Sequence, residues 1–519
     1  MSQFKGVIAA GHELTVGVAE DILKSGGNAF DAAVAAHLAA CVTEPVLSSP
    51  AGGGFLLART SHGTQTLYDF FVHTPRKRRN PDEVEFYPIS ADFGETSQEF
   101  HIGLGATATP GTVKGLFAIH RDLCRMPMKR LMEPAIELAR KGVETNHFQA
   151  YILDIVQAIY LASEVSVSIY GHPKKHGSLV REGDPLFHPD LADFLEVLTI
   201  EGEDLFYRGE IAGAVDRMSQ ELGGHLTRED FECYEVVRRQ PLQTSYRDSA
   251  ELTINPGPSS GGILIAFALK LMESMDSSGH PFGSTGHLLQ LARVQQLTDL
   301  ARMDFMLKNN LPVPGEMMLD STYIAEFQEQ ISENPRFRRG TTHISIMDNL
   351  GNIASLSTSN GEGCGHIIPG TGIMLNNMLG EEDLHPGGFQ QWAENKRITS
   401  MMAPGILSMQ DGSAATFGSG GSNRIRTAIL QVILNLTDYG MSLQDAVQSP
   451  RIHCEKDFLS IEQGFDTAAM EPVLRSWPSH KLWSGSNLFF GGVHSVMKGP
   501  GGFQGSGDPR RGGVAKVVR

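Results

Sequence analysis

Cysteine is scarce in this chain: Cys41, Cys124, Cys233, Cys364 and Cys454 are the only five in 519 residues, an odd number spread widely. That usage excludes a disulfide framework and a Cys-x-x-Cys metal knuckle, and it fits buried thiols in a reducing compartment. Long apolar runs are also missing. No stretch reaches the ~20 apolar residues of a membrane-spanning helix, so no membrane partner is expected. The amino terminus, MSQFKGVIAAGHELTVG, has no long apolar core before a small-residue cleavage site. No signal peptide is read, and the cytoplasm is the expected compartment, with the periplasm the alternative if a leader has been trimmed away. Positive charge is in deficit. With 43 Lys and Arg against 59 Asp and Glu the net charge is −16, which argues against a nucleic-acid partner because phosphate binding needs a basic surface. The histidines show no H-E-x-x-H or other ligand spacing, and no Lys-Ser/Thr follows a glycine loop as in a P-loop. Neither a metal nor a cofactor is expected.

Glycine is in excess: 57 residues, against a usual share of ~7%. The glycines cluster in short runs beside apolar segments, which suggests backbone-lined turns around a site. Leu14, Val18, Ile22 and Leu23 recur at helical spacing, and Gly26-Gly27 supplies a stop. Asn28 can cap a second helix, NAFDAAVAAHLAACV, with Asp31 in its first turn; its nearly uniform apolar surface predicts deep burial. Helical periodicity continues from about Val113 to Ile200 and from Gly283 to Asn309. ELTINP reads as a strand leading through GPSSGG into an apolar helix. HISIMD and NIASLS alternate as strands. GSGGSNRIRTAILQVILNLTDYG reads as a glycine loop entering a helix, and the segment from Gly485 onward as short glycine-rich strands.

The segment RRGTTHISIMDNLGNIASLSTS carries the sharpest local inference. Asp348 and Asn352 flank NLG, the form of a three-residue hairpin whose last residue takes the left-handed position. Pairing Asp348 with Asn352 places Thr341 opposite Ser359; a two-residue turn would shift the partner to Asn360. Either register puts a second polar group beside Thr341. A threonine hydroxyl is a weak nucleophile that needs an adjacent base. A free α-amine on the same residue supplies one if the chain is cut between Gly340 and Thr341. The bland reading, a threonine opening a strand, is commonplace.

Three other segments carry chemistry. GSGGSNR, Gly418 to Arg424, lies before a helix, where backbone amides can hold an anion or a developing oxyanion. GPSSG, Gly257 to Gly261, matches a G-x-S-x-G nucleophile elbow with Ser259 as nucleophile and AGGGF as oxyanion loop. The acidic run GEEDLHP follows an apolar segment and can present a carboxylate at a pocket edge.

These motifs form a collinear set. GGNAFDAAVA, EPVLSSPAGGGF, ATPGTVKGL, PAIELARKG, NPGPSSGG, GTTHISIMDNLGN, PGTGIMLNN, GSGGSNRI, AVQSPRIH, FGGVHSV and DPRRGG together resemble the γ-glutamyltranspeptidase (glutathione hydrolase) family of N-terminal nucleophile hydrolases, over nearly the whole chain. The resemblance implies an α/β fold in a four-layer αββα sandwich, built from two autocleaved fragments that stay associated, residues 1–340 and 341–519. It implies cleavage of the Gly340–Thr341 bond, Thr341 as nucleophile and its α-amine as base. Ser359 falls at a threonine that supports the nucleophile, and the amides of Gly421 and Ser422 at the oxyanion hole. The implied substrate is a small γ-glutamyl or related amide such as glutathione, resolved by water or an amine, with hydrolysis favoured by a short lid that leaves the site open. A homo-oligomer is left open.

The departures fall on substrate binding. Phe71 stands where typical members have the arginine that holds the glutamyl α-carboxylate, with Arg76 or Arg78 as replacements that the sequence offers. Met401 replaces the second of two carboxylate-binding serines and leaves Ser400 alone. Glu381 keeps the amine-binding acid, but Met378 replaces its polar neighbour. Gly361 replaces an amine-binding asparagine, for which adjacent Asn360 can substitute. Arginine's planar fork gives both strength and geometry, so its loss is not mild. A cephalosporin- or glutaryl-type acylase of the same family, a Ser259 hydrolase and a non-cleaving paralogue are the alternatives.

Overall fold

The structure is a computed structural model that describes residues 4–92, 97–275, 279–309, 315–328, 341–381, 384–385, 388–455 and 457–519. Gly340 lies outside the described residues, as do the residues of the acidic run at 382, 383, 386 and 387.

Local chemistry sets the amino-terminal layer. The helix Glu13–Lys24 opens where His12 accepts from the Leu14 amide, and it gives way to Gly26 at φ +93°. The helix Ala29–Thr43 opens on a reciprocal capping box. Asn28 accepts from the Asp31 amide while Asp31 accepts from the Asn28 amide, an arrangement typically worth ~1 kcal/mol. The other oxygen of Asp31 accepts from the amides of Arg125 and Met126, so the cap also ties down a distant loop. Every residue of this helix is buried, as its composition predicts.

Among the described residues, two antiparallel sheets form the centre. The seven-stranded sheet runs, in spatial order, Val514–Val518, Gly6–Ala10, Thr342–Asp348, Ile353–Ser359, Gly53–Arg59, Gln65–Asp69 and Val237–Arg239. The six-stranded sheet runs Gly502–Ser506, Gly492–Gly499, Ala414–Gly420, Gly405–Met409, Ala250–Ile254 and Leu242–Tyr246. Segments before and after Thr341 therefore interleave in both sheets, and neither sheet is complete without both. The helices Glu13–Lys24 and Ala29–Thr43 pack on the first sheet. Ser260–Glu273 and Arg424–Thr437 pack on the second, with Thr285–Asn309 against Ser260–Glu273. The result is the αββα sandwich.

Where the sheets meet beside Thr341, the contact is polar and close. Ser345 Oγ donates to the carbonyls of His494 and Thr416, and Ser355 Oγ donates to that of Phe417. The His343 ring lies between Ser357 Oγ and Ser345 Oγ, at 2.8 and 2.9 Å. It rests on Gly418, where a methyl would come within 2.2 Å of Nδ1. Burial, with His494 nearby, pushes the His343 pKa well down, so the ring is neutral. Small and hydroxyl-bearing residues let one sheet's side chains reach the other's backbone, which fixes the strand ends with little slack.

Two sequence expectations need correction. Gly418–Gly420 is the end of a strand, not a loop, because its main chain pairs with His494–Gly492. The stretch from Val113 to Ile200 is helical in pieces, interrupted by a small ladder of Val143–Glu144 with Pro185–Leu186 that starts after Gly142 at φ +80°. No disulfide forms; Cys41, Cys364 and Cys454 are buried, whereas Cys233 is exposed.

Candidate active site

Thr341 stands one residue before the strand Thr342–Asp348. The hairpin has the expected register: Thr342 faces Thr358, Met347 faces Ile353, and the Asp348 amide donates to the Asn352 carbonyl at 3.1 Å. Continued by one residue, this register sets Thr341 against Ser359. Asp348 enforces it. Its carboxylate accepts from the amides of Leu350 and Asn352, from Asn352 Nδ2 and from the Ala29 amide, while Gly351 takes φ +95°. One side chain thus shapes the turn and locks it to the neighbouring helix.

From the second sheet, Gly420 abuts the Thr341 backbone so closely that a methyl there would lie 1.8 Å from the Thr341 carbonyl oxygen. That oxygen accepts from Arg511 Nη1 at 3.3 Å. Gly421 at φ +120° and Ser422 at φ +47° turn the chain into the helix Arg424–Thr437. Amides of Arg424 and Ile425 donating to the carbonyls of Gly421 and Ser422 close the turn. Left-handed backbone is routine for glycine but strained for serine.

A pocket opens beside Thr341. Ser359, Glu381, Ser400 and Ser422 supply its polar wall, and Phe71, Met378, Leu384, Met401, Met402 and Ile425 its apolar wall. Thus Thr341, Ser359, Ser422, Glu381, Ser400, Phe71 and Met401, distant in sequence, converge on one place. Gly421 stands directly before Ser422. Asn360 does not line the pocket; its Nδ2 points to the Met374 carbonyl at 3.4 Å. At Gly361, at φ +65°, a Cβ would fall 2.0 Å from Asn377 Oδ1 and 2.6 Å from Glu381 Oε1, so those side chains fill the space that a side chain at 361 would need. The pocket measures ≈20 Å³, room for about one water, because the apolar side chains crowd it.

Among the described residues, three arginines close to the site in sequence or space are committed elsewhere. Arg76 pairs with Glu229, and Arg78 donates to the Gln390 carbonyl and lies over the Trp392 ring. Neither takes the place of the arginine that Phe71 replaces. Arg397 reaches the Phe71 main chain, but it donates to the carbonyls of Phe71 and Glu235 and to Tyr234 Oη, and it faces Asp69 at 3.4 Å. Phe71 itself is buried and stacked on Phe55, ring centres 5.5 Å apart.

Ser259 is buried, and its hydroxyl donates to the carbonyls of Ser400 and Met402 at 2.8 and 3.2 Å. It holds the 400–402 segment in place, and none of its hydrogen bonds runs to a histidine. The Gly52–Gly54 run, its supposed oxyanion loop, instead lies along Ser359 and Thr358, Gly53 and Gly54 pairing with them in the sheet.

Sequence reasoning missed a layer beneath Thr341. Glu44 is fully buried, accepts from Thr342 Oγ1 at 3.3 Å and lies within electrostatic reach of Arg511. Burial pushes its pKa up to about 7, against the pull of the Thr342 hydroxyl and Arg511. Burial, with Arg424 nearby, lowers that of Arg511 to about 10. It also missed Asn376, whose side chain bonds the Met378 amide and the main chain of Ala51 and Ala108. The only signal was a pair of asparagines inside an apolar run.

A sequence profile described as Gamma-glutamyltranspeptidase matches residues 15–518. The chain belongs to the γ-glutamyltranspeptidase family. Among its relatives in the γ-glutamyltranspeptidase family, the glutathione hydrolase proenzyme of Escherichia coli K12 is 31% identical, covering 98% of this chain and 90% of that protein. The acylase ACY 1 proenzyme of Pseudomonas sp. strain SE83 is 30% identical, covering 96% and 90%. In fold, the chain is similar to the cephalosporin acylase from Bacillus halodurans, with a TM-score of 0.84 and 23% identity over 99% of this chain and 96% of that one.

Proposed function

We propose that this γ-glutamyltranspeptidase family member is an autoprocessing amidohydrolase and acyltransferase with Thr341 as its nucleophile. The observation that carries this reading is the convergence of Thr341, Ser359 and Ser422 at one pocket, at the end of a hairpin whose register is pinned by Asp348. Cleavage before Thr341 leaves fragments 1–340 and 341–519, and the interleaved strands hold them together. The freed α-amine takes the Thr341 hydroxyl proton as Oγ1 attacks the acyl carbonyl. The amides of Gly421 and Ser422 stabilise the oxyanion. The proton then passes to the leaving amine, and water or a second amine resolves the ester.

Glu381, Ser400, Phe71 and Met401 supply the acyl-binding wall. The γ-glutamyl reading keeps Glu381 for the substrate ammonium. The acylase reading, with a different acyl group, is favoured by one observation: among the described residues, no arginine or lysine lines the pocket. Amino-terminal sequencing of the smaller fragment tests the common core. It reads TTHIS in the native chain, and the fragment is absent from Thr341→Ala. A chain that stays whole on long incubation yet remains active sinks the reading.

A further inference from the structure

A second cavity, of ≈450 Å³, shares no lining residue with the Thr341 pocket. It lies where the end of the helix Glu164–Tyr170 meets the start of the helix Pro189–Glu201, and Gly372, from beyond Thr341, joins its wall. Its volume falls in the range of small-molecule sites, about 300–1,000 Å³. Ile169, Val180 and Phe187, with Pro173, Pro185 and Pro189, give it broad apolar faces. Phe187 is held in place by Gly142, where a methyl would lie 2.6 Å from its ring.

One buried polar side chain on this wall lacks a counterpart. His188 lines the cavity and is 2% exposed, and neither ring nitrogen has a hydrogen-bond partner among the described residues. The residue itself is well anchored. Its amide donates to the Ala139 carbonyl at 2.9 Å, and its ring meets Tyr170 edge-on, centres 5.6 Å apart. It precedes a helix, but its side chain caps no helix amide. Burial lowers its pKa to about 4, so the ring is neutral, with one nitrogen a donor and the other an acceptor. Buried polar groups are rarely left unmet, because each one costs stability. A hydroxyl suits either nitrogen, since it both donates and accepts. Asp184 and Asp190 also line the cavity and disfavour an anion.

We propose that this cavity binds a small, uncharged hydroxyaromatic molecule, its rings against Phe187 and the prolines and its hydroxyl on the His188 ring. The site lies outside the Thr341 chemistry and is independent of the acyl group taken there.

2-Naphthol, whose fused rings suit this volume, is the probe, titrated against the full chain by calorimetry and by its own fluorescence. Saturable binding at one site per chain is expected, about fivefold tighter than that of naphthalene, the worth of one neutral hydrogen bond. The anionic 6-hydroxy-2-naphthoate is expected to bind more weakly than 2-naphthol. His188→Phe keeps a ring against Tyr170 and is expected to erase the preference for the hydroxyl while retaining naphthalene. Ile169→Trp fills the cavity and is expected to abolish binding of both, which separates this site from any other apolar surface. The proposal is overturned if 2-naphthol shows no saturable binding, if naphthalene binds equally well, or if Ile169→Trp leaves the affinities unchanged. The ligand comparison and Ile169→Trp decide the matter even where His188→Phe fails to fold.

Discussion

Arg511 donates through Nη1 to the main-chain carbonyl of Thr341 at 3.3 Å, from a fully buried position. The proposed nucleophile is therefore braced from behind by a cation that also faces Glu44. Replacing Arg511 by Met leaves that carbonyl and Glu44 without their counterpart. Loss of one partner from a buried charged cluster costs about 3–5 kcal/mol. Arg511→Met is expected to lower the denaturant midpoint by that order and to slow the appearance of the small fragment on a denaturing gel. Arg511→Lys retains the charge but not the fork, so its expected defect is intermediate.

Glu44 makes stability pH-dependent with an unusual sign. Its folded pKa is raised from 4.5 to about 7 by burial. Between those values the folded state keeps a proton that the unfolded state releases, so stability falls as pH rises from 4.5 to 7 and is flat above. The loss is on the order of 3 kcal/mol at 1.36 kcal/mol per unit. Glu44→Gln removes it. Unfolding midpoints of both proteins from pH 4.5 to 8 are expected to show the wild type losing ground to the variant across that window; parallel curves refute the assignment.

Ser422 sits at φ +47°, a conformation that glycine adopts without strain. Ser422→Gly keeps the backbone amide proposed for the oxyanion hole. The expected result is a gain of about 1 kcal/mol in stability, with kcat within about threefold of wild type. A collapse of kcat would assign the serine hydroxyl a direct role.

Two glycines near the hairpin should behave differently. A methyl on Gly420 would lie 1.8 Å from the Thr341 carbonyl oxygen, whereas Gly351 at φ +95° faces open space. Gly420→Ala is expected to abolish fragment formation by displacing Thr341. Gly351→Ala costs only the left-handed strain, about 1–2 kcal/mol, and still matures.

Ser259 separates the two nucleophile assignments. Ser259→Ala removes hydroxyl bonds to the Ser400 and Met402 carbonyls, but both oxygens keep other donors in Ser260, Gly261 and Asn255. A loss of about 1 kcal/mol and activity within about threefold are expected. Thr341→Ala is expected to be inactive. The reverse pattern of activities would restore the serine elbow.

Much of the site was legible because hairpins obey local rules. A three-residue loop ending in glycine fixed the register, and the register alone brought Ser359 to Thr341. The capping box at Asn28 and the helix break at Gly26 were equally local. What local rules missed was any contact made across the sandwich. Arg511 lies 170 positions from Thr341, and Glu44 lies 298 from Thr342. Neither position shows periodicity or a turn signal that marks it. Gly418–Gly420 misled for a related reason: glycine usually marks a loop, but here it is demanded by the His343 ring and the Thr341 carbonyl packed against it.

The sequence by itself determined the hairpin, the capped helices, the collinear motifs of the family and the replacement of expected substrate-binding residues by Phe71, Met378, Met401 and Gly361. Those depend on neighbours within a few residues or on motif identity. Only the tertiary structure decided what the replacements leave behind: a small pocket in which Glu381 is the one acid among the described lining residues, with Arg76, Arg78 and Arg397 held elsewhere. Which charges face a pocket depends on how strands from both halves of the chain are brought together, and a buried charge is defined by partners that no local pattern names.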